Sequence, residues 1–244
     1  MKKDLVKTSN YERFRTAVTA VEQRGALEAS MLLVIGDPGF SKSLIVERWA
    51  IASKAVYLRA KTDWTPARFL RELALQLGVD RSGRSEDIFG RVTAKIITEQ
   101  IPMVIDEVQH CLHDRARTLE AIRDISDLAE NIVVLVAGEP RVLDRMALFP
   151  QISSRICKVV DFLAASIDDV ELCCKELPDV DIARDLVEEI HKQSGGRMRH
   201  VINAIALIER AAKRNGSKKV HASDFAGKAL VYDWQARRPR GRAS

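Results

Sequence analysis

Short continuous runs of hydrophobic residues recur along this chain, and longer segments with helical spacing separate them. Four runs, at residues 31–35, 55–60, 103–105 and 132–137, have the length and composition of buried strands. Strands of this kind, separated by amphipathic helices, are typical of a parallel sheet covered by helices on both faces. We therefore expect an α/β fold in which right-handed crossovers wind the helices around the sheet.

Residues that cap or open helices mark several predicted helix starts. Ser9 or Asn10 can cap a helix over about residues 11–23, and the Thr65-Pro66 pair opens another, since proline suits a first helical turn. Two more helices are expected over residues 86–99 and 116–129.

The pattern changes after about residue 162. No further convincing strand is present, and residues 167–175, 182–193 and 199–214 have helical spacing, so the simplest account is a small all-helical domain. The expected organisation is a basic N-terminal arm (1–10), an α/β domain (11–162), a helical domain (163–228) and a basic tail without stable structure (229–244).

A glycine-containing loop joins the first predicted strand to the helix that follows it. The loop and the helix start consist of Gly36, Asp37, Pro38, Gly39, Phe40, Ser41, Lys42 and Ser43. Strand, glycine loop, Lys-Ser and helix is the layout of a P-loop, whose backbone N–H groups and helix N-terminus bind phosphate. We expect Lys42 to reach the β- and γ-phosphates of ATP, and the Ser43 hydroxyl to bind Mg²⁺.

Ser41 departs from the P-loop pattern G-x-x-x-x-G-K-[ST], because it occupies the place of the second glycine. A Cβ atom at this position must be accommodated close to the phosphates. We therefore expect Ser41 to affect the geometry of the loop or its affinity for nucleotide.

A pair of carboxylates ends the third predicted strand, well after the P-loop. Asp106 follows the apolar run, and Glu107 comes next. A carboxylate at this place in a P-loop protein would hold Mg²⁺, often through water. The neighbouring glutamate can polarise a water molecule for attack on the γ-phosphate. The two motifs together predict an ATP-hydrolysing enzyme.

With these motifs the chain resembles an AAA+ ATPase over roughly residues 5–228. Residues 106–110, Asp-Glu-Val-Gln-His, are similar to the Walker B segment of that superfamily. The resemblance implies a P-loop α/β domain followed by a small C-terminal helical lid, with ATP and Mg²⁺ bound to the first domain.

Two further segments carry the same resemblance. Residues 149–156 are similar to the family segment that presents an arginine finger, which implies that role for Arg155. Residues 194–199 resemble the sensor 2 segment that opens a lid helix. This implies that Arg199, with Arg197 as second choice, contacts the nucleotide.

The end of the fourth predicted strand departs from the family pattern. AAA+ proteins usually carry a polar Asn, Thr or Ser there, whereas this strand ends in Ala137, Gly138 and Glu139. Glu139 is the only candidate for the missing polar group. Together with Ser41, this departure predicts slow hydrolysis, or an ATP switch more than a motor.

Within the AAA+ proteins, several details resemble the transposition ATPases of the phage Mu type. These are the compact size and the residues at positions 57–61, 65–66 and 106–110. The resemblance implies a protein that binds double-stranded DNA non-specifically when loaded with ATP. It also implies head-to-tail self-assembly on DNA, into rings or filaments, and the marking of targets for a transposase.

Basic residues supply candidate DNA contacts. The net charge is +5, and the pI of about 9.1 leans towards a nucleic acid or another polyanion. The neighbourhood of Lys61 and Thr62 lines the DNA-binding face in transposition ATPases, although a solvated loop is the alternative. Arg81 and Arg84 are less specific candidates. Contacts from such residues to phosphates would add affinity without sequence specificity.

Neither a signal peptide nor a membrane-spanning segment is visible, and the spacing of the four cysteines matches no zinc pattern. We expect a cytoplasmic protein with reduced thiols and no membrane partner, located in the host cytoplasm if a phage encodes it.

Two other functions stay open. One is another DNA-associated AAA+ protein, such as a replication initiator or a helicase loader. The other is a nucleotide-switched adaptor of a secretion system that has no role on DNA. Stimulation of ATP hydrolysis by DNA would separate the second alternative from the rest.

Overall fold

The computed structural model describes residues 1–2, 4–139 and 141–232. The chain divides into two compact units, one formed by residues 10–163 and the other by residues 1–9 together with residues from 164 onwards. The predicted basic tail lies, from residue 233 on, outside the described residues.

A five-stranded parallel sheet forms the centre of the first unit. Its order is β2-β3-β4-β1-β5. The strands are β1 (Met31–Gly36), β2 (Val56–Arg59), β3 (Met103–Asp106), β4 (Val133–Val136) and β5 (Ile156–Phe162). Every residue of β1, β3 and β4 is buried, as expected for the inner strands of a sheet covered on both faces.

The fifth strand, β5, differs from the expectation of four strands. It pairs with β1 alone and includes the charged residues Lys158 and Asp161. An edge strand tolerates charges because one side of its backbone has no strand partner. The mixture of exposed and buried positions along β5 therefore hides it from a search for apolar runs.

Seven α-helices accompany the sheet along the chain. They are α1 (Ser9–Glu22), α2 (Lys42–Ala52), α3 (Pro66–Leu77), α4 (Ser85–Glu99), α5 (Arg117–Ala129), α6 (Val142–Ala147) and α7 (Pro150–Ser153). The start of α3 confirms the signal predicted from Thr65 and Pro66. Thr65 Oγ1 accepts a hydrogen bond from the Arg68 N–H (3.3 Å), and Gly78 ends the helix in the left-handed conformation.

The second unit has its own apolar core, built on three helices. They are α8 (Ile167–Glu176), α9 (Arg184–Ser194) and α10 (Met198–Asn215), and Val170, Leu186 and Ile205 are among the buried residues between them. The expectation of an all-helical domain is wrong in one detail. Two-residue strands, β6 (Asp181–Ile182) and β7 (Lys219–Val220), pair in parallel, and such short strands leave no periodic signal in a sequence.

The N-terminal residues pack with the second unit. The Val6 side chain is buried in its core, and the Lys2 N–H donates to Leu177 O (2.8 Å). Asp169 accepts hydrogen bonds from the backbone N–H (2.7 Å) and hydroxyl (2.6 Å) of Ser9 and from the Ser166 N–H (3.1 Å). Burial raises the pKa of Asp169, but these hydrogen bonds outweigh that effect and leave the pKa lowered.

Within the described ranges, no helix has both the length and the apolar character needed to cross a membrane.

Candidate functional site

The loop between β1 and α2 depends on two glycines. Gly36 has a φ of 142°, and a Cβ atom there would lie 2.5 Å from the carbonyl oxygen of Phe162 on β5. Gly39 has a φ of 95°. Both positions need a residue without a side chain, because the backbone adopts angles that L-residues disfavour and, at Gly36, approaches β5 closely. Asp37 and Pro38 lie exposed between them.

The backbone conformation of Ser41 shows why glycine is usual at this position of a P-loop. It has φ 66° and ψ 18°, which is the left-handed conformation, and its side chain makes no capping hydrogen bond to α2. The left-handed conformation costs a non-glycine residue roughly 1–2 kcal/mol. Glycine suits this position because of the backbone conformation.

The Lys42 side chain folds back over the loop. Its Nζ donates to Gly36 O (2.5 Å) and Asp37 O (2.9 Å), and the residue is buried. Burial lowers the pKa of Lys42, and the nearby charges of Glu107, Asp106 and Asp37 act in the opposite direction. The Lys42 ammonium group and the carboxylates of Asp106 and Glu107 therefore lie at the same edge of the sheet, where the parallel strands end.

Asp106 is the most enclosed acid of the site, with an exposed fraction of 2%. Its Oδ2 accepts from the Tyr57 hydroxyl (2.6 Å) and from Arg59 Nε (3.1 Å) and Nη2 (2.9 Å). Its Oδ1 accepts from the Glu107 N–H (2.9 Å). Burial raises the pKa of Tyr57, and the hydrogen bond to Asp106 raises it further.

Tyr57 and Arg59 were missed as site residues by the sequence reasoning. Only the strand register shows their place, because β2 pairs in parallel with β3 and places Arg59 directly beside Asp106. Without the strand register, an arginine at the end of a strand cannot be distinguished from a surface charge.

The residues present fit a magnesium ion. Asp106 Oδ2 is fully engaged by three donors, whereas Oδ1 accepts one hydrogen bond and retains capacity for the ion or for a water bound to it. Ser43 lies half-buried on the first turn of α2 and offers a hydroxyl oxygen. The described residues hold no cluster of three or more His, Cys, Asp or Glu able to bind a metal. Magnesium does not need one, since it binds to one or two protein oxygens together with substrate phosphates.

Glu107 is held by a neighbouring amide. It is half-buried with a φ of 56°, and its Oε2 accepts from Gln109 Nε2 (2.5 Å). Gln109 Oε1 in turn accepts from the Gly138 N–H (3.0 Å) at the end of β4. Glu139, the candidate for the missing polar group, is exposed and lies 3.8 Å from Arg145.

Arg155 is not brought together with Lys42 and Glu107 within the chain. It precedes β5, and its carbonyl oxygen accepts from the Met31 N–H (2.9 Å) at the start of β1. Arg155 therefore lies at the amino ends of these strands, whereas the P-loop follows the carboxyl end of β1. Its guanidinium pairs with Asp127 of α5 through Nε (2.9 Å) and Nη2 (3.1 Å).

Arg197 and Arg199 lie in the second unit. Arg197 precedes α10, Arg199 lies in its first turn, and both are exposed. The turn before them needs glycine at position 196, because a Cβ atom there would lie 2.7 Å from the Ala165 carbonyl oxygen.

The candidate DNA contacts differ in their surroundings. Lys61 is exposed but pairs with Glu72 (3.2 Å), whereas Thr62 is exposed after the end of β2. Arg81 and Arg84 are exposed on the loop before α4 and form no ion pair with an acid in the part of the chain that the structure describes.

Comparisons with known proteins agree with this geometry. Residues 26–146 match the model of a family described as an AAA domain. The ORC2 protein of Aeropyrum pernix, solved in ADPNP-ADP complexes, has a similar structure, with a TM-score of 0.68 and 18% identity over 91% of this chain and 67% of that chain. The fold is that of an AAA+ P-loop ATPase. The expected fold class is therefore confirmed.

Two other AAA+ structures are similar to this chain over a comparable share of its length. Cdc6p of Pyrobaculum aerophilum gives a TM-score of 0.67 and 16% identity, covering 92% of this chain and 68% of that one. The ORC1 protein of Aeropyrum pernix, solved in complex with DNA, gives 0.61 and 17%, covering 90% and 64%. No curated protein matches the chain. At these identities the likeness establishes the AAA+ fold alone and carries nothing specific to transposition.

Replacing Ser41 by glycine tests the account of the loop. We expect Ser41→Gly to raise the free energy of unfolding by up to about 1 kcal/mol, because glycine adopts a φ of 66° without steric cost. Chemical denaturation measures the change, and calorimetry should show nucleotide affinity that is equal or tighter.

Ser43→Gly is the matched control, since it makes the same chemical change inside α2. Glycine within a helix should lower stability by roughly 0.5–1 kcal/mol. Equal losses in the two variants would show that the Ser41 side chain makes a contact that the protein needs.

Proposed function

We propose that this protein binds ATP with Mg²⁺ and hydrolyses it slowly. The observation that carries the proposal is the convergence of Lys42, Asp106 and Glu107 at the edge of the sheet where the P-loop lies. The similarity to a protein solved in ADPNP-ADP complexes supports it.

Each residue of the site then has a role. The Lys42 ammonium exchanges the loop carbonyls for the β- and γ-phosphates, and backbone N–H groups of residues 36–43 surround the phosphates. Ser43 and Asp106 would hold Mg²⁺, which neutralises phosphate charge when bound. Glu107 accepts a proton from the attacking water. Arg199, with Arg197 as second choice, contacts the nucleotide from the helical lid.

Two substitutions test the proposed ATPase. Lys42→Ala should abolish ATP binding, because it removes the only ammonium group at the loop among the described residues. Glu107→Gln should keep ATP affinity but slow hydrolysis roughly a hundredfold or more, since only the proton acceptor is lost. Titration calorimetry and single-turnover hydrolysis measure the two effects. Unchanged affinity in Lys42→Ala would contradict the P-loop assignment.

We further propose that the ATP-loaded protein binds double-stranded DNA without sequence preference. The net charge of +5 and the exposed arginines at positions 81 and 84 support this. The similarity to an AAA+ protein solved in complex with DNA is in keeping with it. Such an activity belongs in the cytoplasm, that of the host cell if a phage encodes the protein.

The finer role that we propose is target selection for a transposase, assembled head-to-tail on DNA. The resemblance of residues 57–61, 65–66 and 106–110 to transposition ATPases supports it. A role as replication initiator is the second candidate, and the fold similarity to ORC and Cdc6 proteins favours it. Stimulation of a transposase encoded beside this protein would support the first role. ATP hydrolysis without any response to DNA would contradict both and favour a secretion adaptor.

Removing both loop arginines tests the DNA contacts. Arg81→Ala with Arg84→Ala should weaken binding to all sequences alike and flatten the dependence of log affinity on log salt by about two units, since two phosphate contacts are lost. Fluorescence anisotropy across a salt series measures both effects.

The charge-matched control is Lys175→Ala with Arg184→Ala, because both of these residues already pair with Glu171. If the two double variants lose affinity equally, net charge alone explains the binding and the loop does not contact DNA.

The position of Arg155 leads to a proposal about assembly. Its place at the edge of the sheet away from its own P-loop fits a finger that acts on the nucleotide of a neighbouring subunit. To do so it must leave Asp127. Such a finger contributes roughly a thousandfold or more to hydrolysis in some NTPases.

Mixing two inactive variants tests action in trans. Arg155→Ala should bind ATP but hydrolyse it poorly, and adding Glu107→Gln should restore part of the activity, because a mixed interface can pair an intact Glu107 with an intact Arg155. A hydrolysis assay at constant total protein measures the recovery. As the control, Glu107→Gln mixed with the double variant contains no intact pair and should stay inactive. No recovery in the first mixture, while each variant still assembles, would contradict action in trans.

A further inference from the structure

The Gln109 side chain connects two parts of the site that are far apart in sequence. Its Nε2 donates to Glu107 Oε2 (2.5 Å), and its Oε1 accepts from the Gly138 N–H (3.0 Å) at the end of β4. Both ends of the amide are therefore used, and its orientation is fixed, since only the nitrogen can donate and only the oxygen can accept.

Gly138, just after β4, allows the ends of the Gln109 and Glu107 side chains to lie close to the backbone. A Cβ atom there would lie 2.8 Å from both Gln109 Nε2 and Glu107 Oε2. An Asn, Thr or Ser at position 138 would therefore make the ends of these two side chains move away from it. After β4 the backbone therefore offers only the Gly138 N–H, and the polar side chain that meets it is Gln109, from the segment after β3.

We propose that Gln109 is the positioning residue of Glu107 and does the work of the polar side chain that β4 lacks. The inference rests on the proposed ATPase function. One carboxylate oxygen of Glu107 is occupied by the amide, which leaves Oε1 to accept a proton from water. A neutral amide can orient a carboxylate without neutralising it.

The positive charge of Lys42 acts on Glu107 from another direction than Gln109 does. Among the acids that act on the pKa of Lys42, Glu107 has the largest effect. Without the hydrogen bond from Gln109, the half-buried carboxylate would be drawn towards this ammonium group, away from a position for activating water.

Gln109 also links Glu107 to the segment that leads towards Arg155. Its carbonyl oxygen accepts from Arg145 Nη2 on α6 (3.4 Å), and Arg145 lies 3.8 Å from Glu139. A shift of α6 would therefore act on the same residue that orients Glu107. Gln109 therefore contacts both Glu107 and the segment that connects β4 to α6.

Two substitutions at position 109 separate its two hydrogen bonds. Gln109→Met keeps the length of the side chain and removes both bonds. Gln109→Glu can still accept from the Gly138 N–H but cannot donate to Glu107 as a carboxylate. We expect both variants to lower kcat by about tenfold or more, which is less than the roughly hundredfold or greater loss expected when the base itself is removed, with little change in KM or in ATP affinity.

Gln193→Met is the matched control. The Gln193 amide makes the same pair of bonds elsewhere, donating to Glu189 Oε1 (2.7 Å) and accepting from the Leu230 N–H (2.8 Å). This variant should keep a wild-type kcat. In the Glu107→Gln background, Gln109→Met should cause no further loss, because the group that it orients is already gone.

Normal kcat in Gln109→Glu, or in a folded Gln109→Met, would overturn the inference while Glu107→Gln remains slow. Additive losses in the double variant would also overturn it, since they would mean that Gln109 acts independently of Glu107. If Glu107→Gln itself hydrolysed ATP at the normal rate, the proposed function of Glu107 would fail along with the inference. The rate of Glu107→Gln therefore shows whether the inference about Gln109 alone has failed or the proposed function has failed with it.

Discussion

Parallel pairing of β1, β3 and β4 is the constraint on which the candidate site depends. The outer two pair with β4 in register, so that Val34 and Asp106 lie on either side of Val136. The chain therefore leaves these strands at one edge, where the loop lysine and both carboxylates meet. Because a strand's side chains alternate between the two faces, a one-residue slip of β3 would turn Asp106 to the other face of the sheet. The register thus maintains the site.

At this edge of the sheet, the buried side chains of Lys42 and Asp106 are each stabilised by hydrogen bonds to nearby protein groups. The buried ammonium of Lys42 uses two loop carbonyls, and the buried Asp106 uses a tyrosine and an arginine from β2. Neither charge depends on a bound ion for its partners, which matters because an unpaired buried charge is costly. In the proposed ATP-bound state, a phosphate would replace carbonyl partners of Lys42, whereas Asp106 would keep its partners on Oδ2. The two charges can therefore respond differently to nucleotide.

Local patterns in the sequence predicted much of this molecule. The four apolar runs correspond to β1, β2, β3 and β4, and the P-loop and the Asp106-Glu107 pair follow from their positions at strand ends. The edge strand β5 was missed because its charged residues break the apolar pattern. Arg59 and Gln109 were missed because their roles depend on strand register and on a contact with Gly138, which is distant in sequence. Ser41 was recognised as unusual, but its left-handed backbone became evident only in the structure.

The separation of Arg155 from the P-loop has a consequence for any assembly that joins one to the other. Such a contact uses two different surfaces of the subunit, and when it repeats from one subunit to the next without closing into a ring it gives an open row. An open row of subunits would have unlike ends, one with an ATP site that no arginine completes and one with an arginine that completes no site. Growth and loss of subunits could then proceed at different rates at the two ends, which would give the row a direction along whatever it is bound to.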